Sequence, residues 1–449
     1  MLRNIVLKSS RGSLSGAART FTSTAARLQP ATPDPSQESS TGQYINTITN
    51  PYTVTTYARP NLVFTHGKGA YLFDLENNQY IDFSAGIAVT GLGHANPEIA
   101  DIISKQAGTL IHCSNLFHNL YAGELANKLV TKTKSSGGMH DAQRVFLCNS
   151  GTEANEAALK FGRKYGKQFS DSKTEIITFQ NAFHGRSLGA LSVTPNPKYQ
   201  QPFSPLIPGV HVADAKDITS VEKLISKEKT CAVIIEPIQG EGGVSTIDTE
   251  FLIALKKLCE KNDVLLIYDE IQCGLGRSGK LWAHGFLPKE AHPDILTMAK
   301  ALGNGFPIGA TMITEKVEQA LKVGDHGTTY GGNPLGARIG SYVVDQVSDA
   351  DFLAKVEEKS DKFVKGLNKI AQKYPSKILE VRGKGLLLGL QFDSSVDPGK
   401  IATICRENGL IVITAGMNVL RLVPALNIDN EAIENGLEIL SKAIDEVCK

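Results

Sequence analysis

The sequence predicts an α/β protein in two unequal parts: a large domain whose mostly parallel sheet is covered by helices, and a smaller α+β domain. Three observations carry this. Apolar runs of strand length alternate with amphipathic helical stretches between about Arg144 and Met298. The runs Cys231-Ala-Val-Ile-Ile235 and Val264-Leu-Leu-Ile-Tyr268 are unbroken in apolar residues, as in strands buried on both faces of a parallel sheet. After about Leu335 the pattern shifts to long charged helical stretches, 350–373 and 429–447, set around short strands.

Taken in order, the chain opens on a biased segment. Residues 1–28 hold five basic residues (Arg3, Lys8, Arg11, Arg19, Arg27), many Ser and Thr, and no acid, the composition of a mitochondrial transit peptide. A basic tail for nucleic acid or lipid has the same composition, but the bias ends abruptly after Arg27, which favours a cleaved leader and a matrix location. No apolar run fits a secretory signal. The net charge of +1 becomes −4 without that segment, since 42 of the 47 basic residues then face 46 acidic ones. Residues 29–43, rich in Pro, Ser and Gln, read as a flexible spacer. Short alternating runs with Gly67, Gly69 and Asn77-Asn78 predict hairpins between Tyr57 and Ile81, in a 44–90 segment assigned to the small domain.

The large domain is placed at 91–340. Its elements are a strand at Arg144–Cys148, a helix at Thr152–Lys167 rich in Ala, Glu and Lys, and strands at Glu175–Phe179 and Cys231–Ile235. A helix near Thr249–Lys261 gathers Phe251, Leu252, Leu255, Leu258 and Cys259 on one face. The C-terminal small domain, 341–449, has strands at Ile378–Val381, Leu386–Phe392 and Val419–Val423. With 449 residues, 41 % of them hydrophobic, the chain can bury a large core, and no stretch approaches the ~20 apolar residues of a membrane span. The seven cysteines are scattered and never Cys-x-x-Cys, which fits reduced thiols and gives no zinc site. No basic, aromatic-interleaved patch suggests nucleic acid.

Two apolar runs each deliver one charge at a C-terminal end: Asp269, and Lys300 31 positions later. Open α/β sheets bind ligands at the carboxyl ends of their strands. An amine and a carboxylate on one pocket wall match what pyridoxal phosphate (PLP) requires, a lysine for the Schiff base and an acid for the pyridinium nitrogen. A plain buried ion pair is the competing reading. Asn149-Ser150-Gly151-Thr152-Glu153 turns a strand into a helix, where free amides and the helix dipole favour a phosphate; an ordinary N-cap has the same look. In Asn181-Ala-Phe183-His184-Gly185-Arg186, the aromatic can stack on a pyridine ring and the arginine can grip a carboxylate, or the two are a core Phe and a surface Arg. Gly274-Leu-Gly276-Arg-Ser-Gly279 spells a dinucleotide fingerprint, yet no convincing helix follows and no acid-ended strand comes about 20 residues on.

Asp269-Glu-Ile-Gln272-Cys-Gly-Leu-Gly-Arg-Ser-Gly and Ala-Lys300-Ala-Leu-Gly-Asn-Gly-Phe-Pro-Ile-Gly-Ala resemble the signature of the class-III aminotransferases of PLP fold type I, and the resemblance runs from about Tyr57 onward. It implies catalysis by Lys300 and Asp269. It also implies that Ser150, Gly151 and Thr152 hold the cofactor phosphate, that Phe183 stacks on the ring, and that Gln272 bonds its O3′. Arg186 would bind the amino donor's carboxylate. Glu241 would mask Arg421 until a second carboxylate arrives. Thr329 would reach the phosphate, and Thr328 the substrate, of a neighbouring subunit, which makes a homodimer with shared sites. Phe183-His-Gly-Arg186 resembles members that transaminate N2-acetyl-L-ornithine with 2-oxoglutarate. Ornithine enzymes usually place Trp after the Phe and tend to carry Tyr where Ile87 stands; Tyr57, however, matches a substrate-contacting tyrosine of that group. Ornithine or another ω-amino acid is therefore the alternative donor, and a class-III PLP isomerase the alternative reaction.

Overall fold

The computed structural model describes residues 40–449. The expected leader and the spacer as far as residue 39 lie outside the described residues. Positions 40–43 are not spacer: they belong to the helix Ser40–Tyr44, in which Ser40 and Thr41 donate to the Glu76 carboxylate at 2.7 and 2.5 Å.

Strands β1 (Phe64–Lys68), β2 (Tyr71–Asp74) and β3 (Gln79–Asp82) form the expected antiparallel hairpins. The large sheet follows, from β4 (Ala142–Cys148), β5 (Glu175–Phe179), β6 (Val210–Ala213) and β7 (Thr230–Ile235). A two-stranded ribbon, β8 (Ile238–Gln239) and β9 (Ser245–Thr246), leads to β10 (Leu265–Asp269), β11 (Ile295–Met298) and β12 (Gly309–Thr314). The order across the large sheet is β4-β12-β11-β10-β7-β5-β6. Only β12 runs antiparallel to its neighbours. Sequence reading had left it inside a glycine segment. After β11 the chain reverses at once through Asn304 (φ 45°) and Gly305 (φ 109°), too short a connection for the crossover a parallel partner needs.

Every residue of β7, β10, β11 and β12 is buried, which explains the unbroken apolar runs 231–235 and 264–268. The helix Gly151–Gly166 lies on this sheet through small residues; a Cβ on Gly162 would come within 3.0 Å of the Ala232 Cβ. The helix Thr249–Lys261 buries Phe251, Leu252, Leu255 and Cys259, and also Lys256, whose ammonium reaches the buried Asp294 at 2.9 Å.

The C-terminal strands β13 (Ile378–Lys384), β14 (Leu387–Phe392), β16 (Ile413–Ala415) and β17 (Val419–Leu422) form an antiparallel sheet, while β15 (Leu410–Ile411) pairs in parallel with β3. The 64–82 hairpins thus join the C-terminal segment, and Phe83 packs edge-on against Phe363 of the helix Ala350–Ala371. The Gly274–Gly279 stretch is a turn around Arg277, which is 2 % exposed and donates to the carbonyls of Leu386 and Pro424. Its glycines at 276 and 279 sit in positive-φ turns. Among the described residues no helix is long and apolar enough to cross a membrane.

Candidate active site

Asp269 ends β10 and Lys300 follows β11 by two residues; in the pairing of these strands Asp269 faces Thr297. Lys300 sits at φ 42°, left-handed for a non-glycine residue, after an extended Ala299. Such strain is held only where the surroundings enforce it, and it concentrates at functional sites. Both side chains open into one cavity of about 420 Å³, which is also lined by Asn149, Ser150, Gly151, Thr152, Phe183, Arg186 and Gln272.

The Asp269 carboxylate is held from three directions. Oδ2 accepts from Asn155 Nδ2 at 2.8 Å and lies 2.7 Å from His184 Nδ1, while Oδ1 accepts from the Ile271 amide at 3.0 Å. Asn155 is fixed in turn by Thr297, whose hydroxyl donates to its Oδ1 at 2.8 Å. Glu270 next door points away, as alternate strand residues must, and is closed off by His284 at 2.5 Å. Burial and the nearby Arg421 guanidinium pull the Lys300 ammonium down to about 8. At that value about a tenth of the amine is neutral at pH 7, and able to act as nucleophile or base, a share that grows as pH rises.

The Asn149–Glu153 motif is a helix N-cap whose first turn also faces the cavity. Ser150 caps the helix, with its Oγ accepting from the Glu153 amide at 3.3 Å and donating to Glu153 Oε2 at 3.1 Å. Thr152 Oγ1 lies 2.8 Å from Ser187 Oγ. The first-turn amides of Gly151 and Thr152 have no carbonyl one turn back to accept them, and they line the cavity. A Cβ at Gly151 would come within 2.9 Å of Ile271, so the backbone is as close to that wall as it can be.

Arg421 on β17 is 2 % exposed and donates to Gln272 Oε1 at 3.0 Å and to Glu241 Oε2 at 3.1 Å. Gln272 is therefore tied to the arginine as well as lining the cavity. Arg186 is exposed at the cavity wall, its guanidinium 3.6 Å from the Tyr199 ring centroid and 5.7 Å from that of Phe183.

Six expected residues do not line this cavity: Arg421, which reaches it through Gln272, its partner Glu241, and Thr328, Thr329, Tyr57 and Ile87. Thr328 accepts from Asn149 Nδ2 at 3.1 Å, outside the lining, and Thr329 is exposed. Tyr57, 71 % exposed, lies under Arg59, and Ile87 is 46 % exposed on a left-handed turn. The sequence assigns no role to Asn155, Tyr199 or Glu236. Each touches the site through a fold contact; only Glu236, ending an apolar run as Asp269 does, carried a signal that could have found it.

The family model described as "Aminotransferase class-III" matches residues 53–444. The chain belongs to the class-III aminotransferases. A curated relative from Debaryomyces hansenii, "Acetylornithine aminotransferase, mitochondrial", is 73 % identical over 98 % of this chain and 94 % of its own length. The crystal structure of N-acetylornithine aminotransferase from Stenotrophomonas maltophilia has a TM-score of 0.75 at 36 % identity, covering 87 % of this chain and 97 % of that one. An ornithine aminotransferase structure from Toxoplasma gondii, with partial occupancy of PLP at its active site, has a TM-score of 0.82 at 32 % identity, covering 88 % and 93 %. The fold of this class-III aminotransferase is thus the one the sequence predicted, with helices covering a mostly parallel large sheet.

Proposed function

We infer that this aminotransferase uses PLP to move the terminal amine of N2-acetyl-L-ornithine to 2-oxoglutarate, giving N-acetyl-L-glutamate 5-semialdehyde and L-glutamate for arginine biosynthesis in the mitochondrial matrix. The observation that carries this is one cavity holding an amine, a fixed carboxylate and a helix N-terminus, with Arg186 at its wall and Arg421 buried behind the lining residue Gln272, paired with Glu241. The identity to the D. hansenii relative supports the choice of amino donor. The ornithine reading keeps a place because the T. gondii enzyme is as good a structural match.

The donor set fits PLP. The Gly151 and Thr152 amides would hold its phosphate, Asp269 its ring nitrogen and Phe183 its ring face, with Lys300 at its aldehyde. When bound, PLP supplies an aldehyde that captures an amine and a protonated ring that accepts the electrons released at the neighbouring carbon. Lys300 would remove the proton from the donor's terminal carbon and return it two atoms away, on the far side of the transferred nitrogen, a role suited to an amine titrating near 8. Asp269, immobilised by Asn155 and His184, keeps the ring nitrogen protonated. Arg186 anchors the donor's carboxylate, while Glu241 neutralises Arg421. When 2-oxoglutarate enters, Glu241 withdraws and Arg421 takes its carboxylate.

Initial rates with acetylornithine and with ornithine test the assignment. Acetylornithine is expected to have the higher kcat/KM, because free ornithine would bring an α-ammonium next to the carboxylate gripped by the Arg186 guanidinium, where acetylornithine brings a neutral amide. Preference for ornithine would move the chain to that group.

The active form is proposed to be a homodimer. Leu116, Phe117, Leu120 and Tyr330 are 87, 70, 82 and 63 % exposed in one copy, a patch a monomer rarely leaves open. Residues 328 and 329 adjoin it, so a second copy would carry Thr329 to the neighbouring phosphate. Thr329→Ala is expected to weaken PLP retention about tenfold, the worth of one charge-assisted hydrogen bond of about 1.5–3 kcal/mol, measured by equilibrium dialysis. A forced monomer that binds PLP normally would refute the shared site.

A further inference from the structure

Strand β7 is followed directly by Glu236, which is 4 % exposed and lines the cavity, yet the chemistry above gives it nothing to do. Both its oxygens are taken by backbone. Oε1 accepts from the Phe183 amide at 2.9 Å and Oε2 from the Gly240 amide at 3.2 Å. Those amides belong to different loops. Residues 180–187, after β5, present Phe183 and Arg186. Residues 236–243, after β7, present Glu241, which masks Arg421. The two loops meet twice more. Gln239 Nε2 donates to the Gln180 carbonyl at 2.9 Å. Gly242 lies so near Asn181 that a Cβ would come within 2.5 Å of the Asn181 carbonyl oxygen.

A buried carboxylate is a costly way to fill space, and an apolar side chain would pack at less expense. What the carboxylate supplies, and a methylene group does not, is two fixed acceptors about 2 Å apart, one for each loop. We propose that Glu236 is a positioning residue that fastens the Phe183–Arg186 loop to the Glu241 loop, so that unmasking of Arg421 and the grip of Arg186 on the donor change together. The identity of the two carboxylate grips rests on the function proposed above; the fastening itself does not. Withdrawal of Glu241 moves the loop that holds Gly240. Through Glu236 that motion reaches Phe183, and the donor anchor loosens as the keto-acid anchor is exposed.

The strap is also sensitive to protons. Burial raises the Glu236 carboxyl to about 7, with Asp269 adding to the shift and His184 opposing it; Lys300 and Arg421 are the other charged groups facing it. A protonated carboxyl presents an O–H where one amide needs an acceptor, so the strap is tight on the alkaline side and loose on the acid side.

Amide hydrogen exchange at single-residue resolution, on the full-length holoenzyme, reads the strap without any substrate. In Glu236→Ala the Phe183 and Gly240 amides are expected to exchange about tenfold faster or more. Glu236→Gln, which offers one acceptor oxygen and one NH2, should release only one of them. In wild type, protection of both, corrected for intrinsic rates, should fall as pH drops through about 7, and the Gln variant should not show that step. Should the Ala variant not fold, the Gln variant and the wild-type pH series still decide. A kinetic cycle then reads the coupling. In the wild-type background, Glu241→Ala and Arg186→Ala effects on donor KM should be non-additive by about fivefold or more, and additive within about twofold in Glu236→Gln. Unchanged exchange at both amides overturns the strap, and additivity in both backgrounds overturns the coupling. If exchange changes as expected but acetylornithine proves not to be the donor, only the functional reading falls.

Discussion

Replacing Lys300 with alanine is expected to abolish turnover, a fall of at least about a thousandfold, since a positioned general acid–base alone contributes about 10²–10⁴-fold. In the proposed function the same amine would also capture the cofactor. Mass spectrometry after borohydride reduction should find a pyridoxyl adduct on Lys300 in wild type and none in the variant. Among the described residues no other lysine lines the cavity. The pH dependence has a definite sign. Burial, reinforced by the Arg421 guanidinium, holds the ammonium down to about 8, so the reactive neutral amine grows as pH rises through that value. Uptake of PLP by apoenzyme should therefore accelerate through about pH 8, and Arg421→Ala, removing a positive neighbour, should move that midpoint up. Wild-type activity in Lys300→Ala, or an adduct elsewhere, would remove the aminotransferase assignment from this cavity.

What the sequence could disclose followed from the reach of its signals. Unbroken apolar runs ending in Asp269 and after Met298 marked two strand ends, and strand ends in such a sheet face one crevice; the shared cavity follows from that. The antiparallel β12 was hidden because glycine and Pro307 at its start read as loop, while its burial depends on β4 and β11 at its sides. His184 and Asp269 meet at 2.7 Å across 85 positions of sequence, and no local pattern predicts such a contact. The same limit hid Asn155 and Tyr199. Thr328 and Thr329 were placed by resemblance alone, and one subunit leaves them outside its own cavity. The end of the spacer was misjudged for a different reason: Ser40 and Thr41 are unremarkable until Glu76 supplies a carboxylate to hold them.

Arg186 and Arg421 are expected to fail in different half-reactions. Arg421 is 2 % exposed and tied to Glu241 and Gln272, so its truncation removes a buried anchor. Such losses cost about 2–5 kcal/mol, more than a tenfold loss of affinity, and should fall on 2-oxoglutarate. Arg186 is exposed and held only by aromatic faces, so Arg186→Ala should leave the fold intact and slow the acetylornithine half-reaction by about tenfold or more through its lost carboxylate contact. Single-turnover measurements separate the two, with acetylornithine against the PLP form and 2-oxoglutarate against the aminated form. Glu241→Ala supplies the internal control: 2-oxoglutarate should still bind well, but a permanently unmasked Arg421 would also hold it when the donor should enter, and inhibition by excess keto acid should deepen. Equal losses for both substrates in both arginine variants would show that one carboxylate site serves both, and Glu241 would then be only the partner of a structural ion pair.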